Sequence, residues 1–331
     1  MNAESIPDVS VVVVSFNTRD LLRDCLGTLE REAGGVAYET IVVDNASRDA
    51  SADMVAREFP AAKLIRSPVN QGFAAANNRG FAIARGRYVV LLNSDAFLRP
   101  GDLALSVRRM DADPRIGVGG ARLVGRDDSW QPSARMFPSF TNDLLTITGL
   151  STRYPQSRLF GRFDRTWADQ DEPAEVDWVP GAYSIIPRRV LEEVGFFDES
   201  FFLYYEEVDL CRRIKAAGYT VWYWPDVVVT HLGGESSKTL KHLEISSSGS
   251  QLTLWRMRSA LLYYRKHHGW RGAHLARELE RRWHALRANK NAARPNEEAQ
   301  IKARQSNSIV ALMEQAWRET RGGLVSPPRP W

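Results

Sequence analysis

Asp95 and His231 are residues of the types that bind hard divalent cations, and each follows an apolar run typical of a buried strand. Asp95 follows residues 88–92 (YVVLL), while His231 follows residues 227–230 and precedes a glycine-rich loop. An isolated Asp in such a place usually caps a turn, and an isolated His is usually structural. Together, however, a carboxylate and a neutral imidazole suit Mg²⁺ or Mn²⁺, with substrate phosphates filling the other coordination positions. The pair therefore predicts a metal site.

A second concentration of reactive side chains lies at residues 196–213 (FFDESFFLYYEEVDLCRR), where aromatic residues crowd around acidic ones. An aromatic wall beside a carboxylate raises its pKa, which makes a general acid or base feasible near neutral pH. Glu207 and Asp209 are the candidates for this role. The alternative is that Glu206, Glu207 and Asp209 are simply acids of a first helical turn, where the helix dipole favours them.

The elements that must position these residues alternate between strand and helix patterns. Apolar runs predict strands at Val9–Ser15, 39–43, Lys63–Arg66, 88–92, 117–124, 183–186, 218–224 and 227–230. Helical spacing predicts helices at Arg19–Glu32, 51–59, 74–84, 102–110 and Arg188–Val194, and another that begins near Glu206. Short loops between alternating strands and helices indicate βαβ units with right-handed crossovers. The predicted fold class is α/β with a doubly wound, mostly parallel sheet, and residues 111–167 are interpreted as an irregular connection.

Three of the predicted strands end in polar clusters, at residues 15–17 (SFN), 44–47 (DNAS) and 93–95 (NSD). Turn formation alone could explain one such cluster. In a parallel sheet all three would lie along one edge, where α/β proteins bind ligands. The first strand is followed by SFNTRDLL, which has no glycine, so a dinucleotide-binding G-x-G-x-x-G loop is excluded. A diphosphate bound here would need a cation at Asp95 to neutralise it.

Composition and cysteine content indicate an ordinary soluble protein. The 331 residues are 44% hydrophobic and 25% charged, and the longest apolar runs are too short to span a bilayer. The first eight residues are polar and do not resemble a signal peptide. Cys25 and Cys211 fit neither a disulfide framework nor a metal site and are expected to be reduced and buried. A cytoplasmic location is therefore expected.

The C-terminal region is strongly basic. Residues 251–294 contain eleven Lys or Arg and two Glu, so this segment alone carries a charge of about +9. The net charge of the whole chain is only +4, so the rest of the chain is acidic. Aromatic and aliphatic residues at helical spacing interleave with these cations, which fits a helix lying on an anionic membrane surface. A helical pair packed on the body of the protein fits the pattern equally well. Nucleic acid is not expected as a partner, because no recognised binding motif accompanies the charge.

Seven motifs occur in order along residues 9–270: VVVVSFN, VVDNAS, NQGFAAANNRG, LLNSDAF, WVPGA, FFDESFFLYYEEVDLCRR and HLGGES. In this combination the chain resembles the family 2 inverting glycosyltransferases of GT-A fold, particularly bacterial rhamnosyltransferases of the WbbL type. The resemblance implies a nucleotide-sugar donor, dTDP-L-rhamnose, and a divalent metal, Mg²⁺ or Mn²⁺. It also implies a lipid-linked or polysaccharide acceptor in cell-envelope synthesis, at the inner face of the membrane.

The same resemblance assigns roles to individual residues. The nucleoside would be held by Ser15, Phe16, Asn17 and Asp44, and the donor pocket would be lined by Asn70, Gly72 and Asn77. Asn93, Ser94 and Asp95 stand for the family's D-x-D motif, in which only the last position is acidic here. Metal binding therefore rests on Asp95 with His231. Trp178 and Gly181 would face the donor sugar and the acceptor.

In the family the catalytic base is the second acid of a Glu-Asp pair, which reads Glu206-Glu207 here. Glu207 is thus the predicted base, and Asp209 is the reserve candidate. The expected domains are a GT-A domain at 1–240, with a nucleotide-sugar half at about 1–125 and an acceptor half at about 126–240, and a basic helical region at 241–331. A nucleotidyltransferase and a non-catalytic nucleotide-sugar-binding protein are the alternative functions, and the oligomeric state is not predicted.

Overall fold

A computed structural model describes residues 6–233 and 249–327 of the chain. In this part of the chain the strands are β1 Val9–Ser15, β2 Tyr38–Asp44, β3 Lys63–Arg66, β4 Tyr88–Asn93, β5 Ala96–Phe97, β6 Ile116–Val124, β7 Trp130–Gln131, β8 Ala174–Glu175, β9 Tyr183–Pro187 and β10 Thr220–His231. The helices are α1 Arg19–Glu32, α2 Ser51–Glu58, α3 Phe73–Phe81, α4 Asp102–Ala112, α5 Phe140–Ile147, α6 Leu150–Arg153, α7 Arg188–Val194, α8 Glu206–Ala216, α9 Gly249–Ala292 and α10 Glu297–Glu319.

The strands form one sheet in the order β3-β2-β1-β4-β9-β6-β10-β5, with β7 paired to β6 and β8 paired to β10. Strands β3, β2, β1 and β4 are mutually parallel, as are β6 and β10, while β9 is antiparallel to both of its neighbours. Ser15 pairs with Asp44, and Val14 pairs with Asn93. This register brings the three polar clusters to one edge of the sheet, as the sequence predicts.

The sheet is buried on both faces, which explains the continuous apolar runs of its central strands. Alternate residues of β1 and β4 contribute to two separate cores. Val11 and Val90 pack with α1, α2 and α4, while Val12 and Val89 pack with α3, α7, α8 and α9. The doubly wound, mostly parallel α/β sheet is therefore confirmed.

Several predicted bounds are confirmed to the residue, namely those of β1, β3, α1 and α7. The two strands expected at 218–224 and 227–230 are one strand, β10, with a register irregularity between Trp224 and Val228. The irregular connection expected at 111–167 contains β6, β7, α5 and α6, of which the sequence pattern indicated only β6. Elements of two to four residues, such as β7 and α6, are too short for periodicity to reveal.

The C-terminal helices pack on the body of the protein. Helix α9 is interrupted at Gly269, where φ is 67°. Four of its apolar side chains belong to the core that also contains residues of α3, α7 and α8; these are Leu262, Tyr263, Tyr264 and Ala273. Helix α10 packs on α9 through a smaller apolar cluster. No helix in the described residues is long and apolar enough to cross a membrane. The domain boundary expected at residue 240 lies outside the described residues, but the second core contains residues from both sides of it.

Candidate active site

A chain of buried hydroxyl groups joins the first and third polar clusters. Thr18 Oγ1 lies 3.0 Å from Ser15 Oγ and 2.9 Å from Ser94 Oγ. Ser15 is fully buried and Ser94 nearly so. The hydroxyl groups of both serines contact Thr18, and their predicted contact with the nucleotide-sugar stays a prediction. Through Thr18, the two serines connect the end of β1 to the end of β4.

The second cluster is joined to the first through Asn17, which has a positive φ of 54°. Its backbone N–H donates to Ser47 Oγ (3.0 Å), and its side-chain Oδ1 accepts from the Arg48 backbone N–H (2.7 Å). Asp44 Oδ2 accepts from the Ser47 backbone N–H (3.2 Å), whereas the buried Asp44 Oδ1 has no hydrogen-bond partner. A buried carboxylate oxygen without a donor needs explanation, and a nucleoside N–H or hydroxyl would satisfy it.

The loop before α3 is held to the edge by Asn45. Its side-chain amide donates to Asn70 Oδ1 (2.8 Å) and to the Gly72 carbonyl (3.2 Å). Gly72 has a φ of 84°, and a Cβ at this position would overlap both the ring and the carbonyl oxygen of Phe202. The backbone N–H of Phe73 donates to that same carbonyl oxygen (2.8 Å). The loop with Asn70 and Gly72 is thus packed directly on the segment that precedes Glu207.

Asp95 and His231 come together because β5 pairs antiparallel with the end of β10, with Ala96 opposite His231. Asp95 Oδ1 lies 3.5 Å from His231 Nε2, and the side-chain amide of Asn93 lies 3.4 Å from the same nitrogen. The fold thus brings these two sequence-distant side chains together, and the metal site stays a prediction. In the described residues no group of three or more His, Cys, Asp or Glu could hold a metal ion.

Gln131 orients the imidazole of His231. Its amide nitrogen donates to the His231 carbonyl oxygen (2.7 Å), so its Oε1 faces His231 Nδ1 at 3.0 Å. An oxygen there favours the tautomer of neutral imidazole that carries its proton on Nδ1, and in this tautomer the lone pair of Nε2 lies on the side of Asp95. Metal-binding histidines are usually held in this way. The two residues therefore fit a divalent cation whose remaining ligands are phosphate oxygens and water.

Glu206 and Glu207 begin α8 in a strained backbone. Tyr204 and Tyr205 both have a φ of 70°, a conformation that is rare for bulky residues and concentrated at functional sites. One buried carboxylate oxygen of each glutamate has no hydrogen-bond partner. Burial raises the pKa of Glu206 well above its ordinary value, and the charge of Glu207 adds to the effect. Burial also raises the pKa of Glu207, against the opposing charge of Arg135.

Asp209, the reserve base, is a structural residue. Its fully buried carboxylate accepts hydrogen bonds from Arg213 Nε (2.9 Å) and His267 Nε2 (2.8 Å) and pairs with Lys266 Nζ (2.8 Å). Burial alone would raise its pKa, but these hydrogen bonds and charges lower it to about 2. A carboxylate with so low a pKa and no solvent access is a poor proton acceptor. We therefore correct this assignment.

Three further residues predicted to contact the donor or acceptor are buried. Asn77 donates to the Phe73 carbonyl (2.9 Å) within α3. The indole N–H of Trp178 donates to the Met136 carbonyl (2.9 Å), and this side chain is only 5% exposed. Gly181 lies beneath the ring of Phe73. Because the polar groups of Asn77 and Trp178 are already used, their burial favours support of the pocket over the predicted sugar contacts.

Comparison with known proteins now identifies the family. The profile of Glycosyl transferase family 2 matches residues 10–205. This range includes the polar edge, the name used here for the three polar clusters 15–17, 44–47 and 93–95 at the ends of β1, β2 and β4. The chain belongs to glycosyl transferase family 2. This transferase is 28% identical to the N-acetylglucosaminyl-diphospho-decaprenol L-rhamnosyltransferase of Mycobacterium tuberculosis, an alignment that covers 67% of this chain and 75% of the relative. It is 23% identical to rhamnosyltransferase WbbL of Escherichia coli, over 77% of this chain and 92% of WbbL.

Solved structures show the fold of this family 2 transferase. The mannosyltransferase PcManGT from Pyrobaculum calidifontis, in complex with GDP-Man and Mn²⁺, superposes with a TM-score of 0.55 and 17% identity over 95% of this chain and 88% of that one. GalNAc-T7 with UDP, GalNAc and Mn²⁺ also has a TM-score of 0.55, with 15% identity over 98% of this chain and 59% of that one. The GT-A fold expected from the sequence is confirmed.

Sequence reasoning missed three residues that organise the site of this transferase. Thr18 precedes α1, where its side chain makes no cap hydrogen bond and instead joins Ser15 and Ser94. Asn45 connects two loops, and Gln131 orients His231 from a strand of two residues. Asn45 stands inside a recognised polar cluster and could have been singled out there. Gln131 carries no local signal, because only the fold brings it beside His231.

Proposed function

We propose that this protein is an inverting sugar transferase that uses a nucleoside-diphosphate donor. The observation that carries the proposal is the packing of Gly72 on Phe202, which places the loop of Asn70 against the segment that bears Glu207. A donor held along the polar edge would then have its sugar near the proposed base. The raised pKa of Glu207 supports the same role, because a base is most effective when its pKa approaches the working pH.

The polar edge would bind the donor through several distinct groups. Asp44 offers the unpaired Oδ1 to the nucleoside, and Asn17 and Phe16 lie at the end of the neighbouring strand. Asp95 and His231 would hold a divalent cation, which when bound supplies positive charge to the departing diphosphate. Gln131 keeps His231 in the tautomer that this binding requires.

Glu207 would act on the acceptor. Its carboxylate removes the proton from the acceptor hydroxyl as that oxygen forms a bond to the anomeric carbon of the donor. The bond between the anomeric carbon and the diphosphate oxygen breaks, and the diphosphate leaves with the bonding electrons. Since attack and departure occur on opposite faces of the sugar in one displacement, the anomeric configuration inverts.

For the donor and acceptor we propose dTDP-L-rhamnose and a lipid-linked or polysaccharide glycan of the cell envelope. Support comes from two relatives that are named rhamnosyltransferases, one of which carries a diphospho-decaprenol acceptor in its name. The test is to incubate the protein with a panel of nucleotide-sugars and Mn²⁺ and to measure release of nucleoside diphosphate. Release from dTDP-L-rhamnose above the other donors is expected. Release of pyrophosphate would instead indicate a nucleotidyltransferase, and binding without release a non-catalytic protein.

We also propose that the protein docks peripherally on an anionic membrane at the cytoplasmic face. Of the apolar residues in the basic segment, Trp255 is buried against Phe202 and Leu261 is buried in the cluster between α9 and α10, so they cannot reach a bilayer. Leu275 and Leu286 are 49% and 66% exposed on the second half of α9, and the cationic side chain of Lys290 is exposed one turn after Leu286. This face has the composition of an interfacial helix.

Flotation with vesicles that contain phosphatidylglycerol tests this docking. We expect the Leu275→Ser, Leu286→Ser double variant to float less than the wild type. Leu324→Ser removes an equally exposed leucine outside α9 and serves as the control. Equal flotation of all three proteins would rule out this face.

A further inference from the structure

A cavity of about 360 Å³ lies in the segment of residues 156–174, away from the polar edge. A cleft of this volume can hold a small organic ligand. Its lining ends at Ala174 of β8, which pairs with Tyr223 of β10. His231 lies eight residues further along β10, which is about 25 Å of extended chain. The cavity is therefore separate from the donor and metal sites proposed above.

Two arginines that line the cavity stack on the ring of Trp167, which lines it as well. The guanidinium carbons of Arg158 and Arg165 lie 4.8 and 5.7 Å from the centroid of this ring. Neither arginine forms an ion pair with a carboxylate among the described residues. Stacking fixes the plane of a guanidinium and leaves the N–H groups at its edge available. Arg158 therefore offers unused donors to a ligand.

The backbone at Arg165 is held in an unusual conformation. Its φ is 51°, which is uncommon for a residue other than glycine, and such residues are concentrated at functional sites. The Arg165 carbonyl accepts from the side-chain amide of Gln170 (2.9 Å), and the Gln170 carbonyl accepts from the Tyr223 hydroxyl (2.8 Å). The Arg165 side chain donates to the Glu175 carbonyl (3.2 Å). Because these bonds fix the wall of the cavity to β10 and β8, less conformational entropy is lost when a ligand binds.

Other side chains of the lining supply hydrogen-bond acceptors. Asp169 and Glu172 are exposed acids of the cavity, and Gln156 adds an amide that can both donate and accept. Asp169 Oδ1 accepts from the Asp171 backbone N–H (2.9 Å). Neither Asp169 nor Glu172 pairs with a cationic side chain in the part of the chain that the structure describes. One cavity thus presents both guanidinium and carboxylate groups that are not paired with each other.

We propose that this cavity binds a neutral sugar unit of a glycan chain. Each hydroxyl group of a sugar both donates and accepts, so neighbouring hydroxyl groups can use guanidinium, carboxylate and amide groups together. A phosphate would be attracted by Arg158 and Arg165 but repelled by Asp169 and Glu172. The site goes beyond the proposed function, because it lies far from the polar edge and would hold a part of the acceptor distant from the reacting hydroxyl group. Only the identification of this chain as the acceptor rests on the proposed function.

Ligand-observed NMR with a panel of neutral oligosaccharides of glucose, galactose, mannose and rhamnose tests the cavity without requiring transfer. The wild type is expected to bind at least one of them. Arg158→Ala and Glu172→Ala are each expected to weaken that binding by about tenfold, because each removes hydrogen bonds made by a charged group. Arg162→Ala is the matched control, since Arg162 is an exposed arginine of the same segment outside the lining.

Saturating dTDP with Mn²⁺ should leave glycan binding unchanged, because the nucleotide is expected at the polar edge. The proposal is overturned if no oligosaccharide binds the wild type, if Arg158→Ala binds as well as Arg162→Ala, or if dTDP displaces the glycan. It is also overturned if Glu172→Ala binds the glycan undiminished and inorganic phosphate displaces it, which is the behaviour of an anion site. Glycan binding without release of nucleoside diphosphate from any donor would contradict the proposed function and leave this site standing. Release of nucleoside diphosphate without glycan binding would do the reverse.

Discussion

Glu207 is the residue on which the proposed chemistry depends most. Glu206 and Glu207 are adjacent, and each has one buried carboxylate oxygen without a hydrogen-bond donor. The two carboxylates would repel each other if both were ionised. The raised pKa values keep a proton on the pair at a higher pH than for exposed glutamates. The strain at Tyr204 and Tyr205 is consistent with a position that is maintained for function and not for stability.

Replacement of Glu207 tests the base directly. Glu207→Gln keeps the shape of the side chain but cannot accept the proton, so we expect kcat to fall by about 10²–10⁴-fold with donor affinity unchanged. In the wild type, kcat should rise with pH through a value above the 4.5 of an ordinary glutamate, because the base must be deprotonated. The control is Glu192→Gln on the exposed side of α7. A full transfer rate in the Glu207 variant would remove this residue from the mechanism.

Gln131 gives a second test at the residue scale. If it fixes the tautomer of His231, Gln131→Ala should weaken binding of Mn²⁺ in the presence of nucleoside diphosphate by about 10–100-fold. Calorimetric titration measures the affinity, and circular dichroism verifies the fold. Ser129→Ala, two residues earlier and hydrogen-bonded to Asp127 and Gly125 in the described part of the chain, is the control. Unchanged affinity in Gln131→Ala would mean that the imidazole needs no such support.

At the scale of elements, α9 holds the start of α8 in place. Lys266 and His267 bind Asp209, Ser259 donates to the Leu203 carbonyl (2.8 Å), and Trp255 stacks near Phe202 with ring centroids 4.3 Å apart. Every one of these contacts falls within seven residues of Glu207. The C-terminal helices are therefore part of the support of the proposed base, as well as a basic surface.

Asp209→Asn should destabilise the protein because it leaves Arg213, Lys266 and His267 without their buried carboxylate. We expect the free energy of unfolding at pH 7 to fall by about 3–5 kcal/mol, measured by urea denaturation. The pKa of Asp209 is lowered on folding, so its contribution is complete above the unfolded pKa of about 4 and is lost as the pH falls to about 2. The gap between wild type and variant should therefore narrow over that range. Glu298→Gln, on the surface of α10, should leave stability unchanged, and a pH-independent gap would contradict the assignment.

The sequence predicts some elements of the site far better than others. The strand ends at Ser15, Asp44 and Asp95 could be placed on one edge because parallel strands share the direction of their carboxyl ends. The burial of Asn77 and Trp178 could not be predicted, since motif position does not reveal which way a side chain faces. The contact of Gln131 with His231 and the ion pairs of Asp209 depend on elements that are distant in sequence and become neighbours only in the fold.

At the scale of the whole molecule, described residues on both sides of residue 240 share one core. Tyr263 and Tyr264 follow the domain boundary expected at residue 240, whereas Val12 and Ile214 precede it. All four residues are fully buried in the same core. We expect thermal unfolding to give one transition, with equal calorimetric and van't Hoff enthalpies. Two resolved transitions would show that the C-terminal helices unfold independently.

The central claim is that a cation held by Asp95 and His231 makes the polar edge a site for sugar transfer. The most direct measurement is release of nucleoside diphosphate from dTDP-L-rhamnose, with acceptor present, as Mn²⁺ is titrated into metal-free wild type, Asp95→Asn and Asp128→Asn. Asp128 is an exposed aspartate that pairs with Arg99, so its variant should behave like the wild type. We predict saturable activation by Mn²⁺ in wild type and Asp128→Asn, and none in Asp95→Asn. Full activity without metal, or an unchanged Mn²⁺ response in Asp95→Asn, would contradict the account.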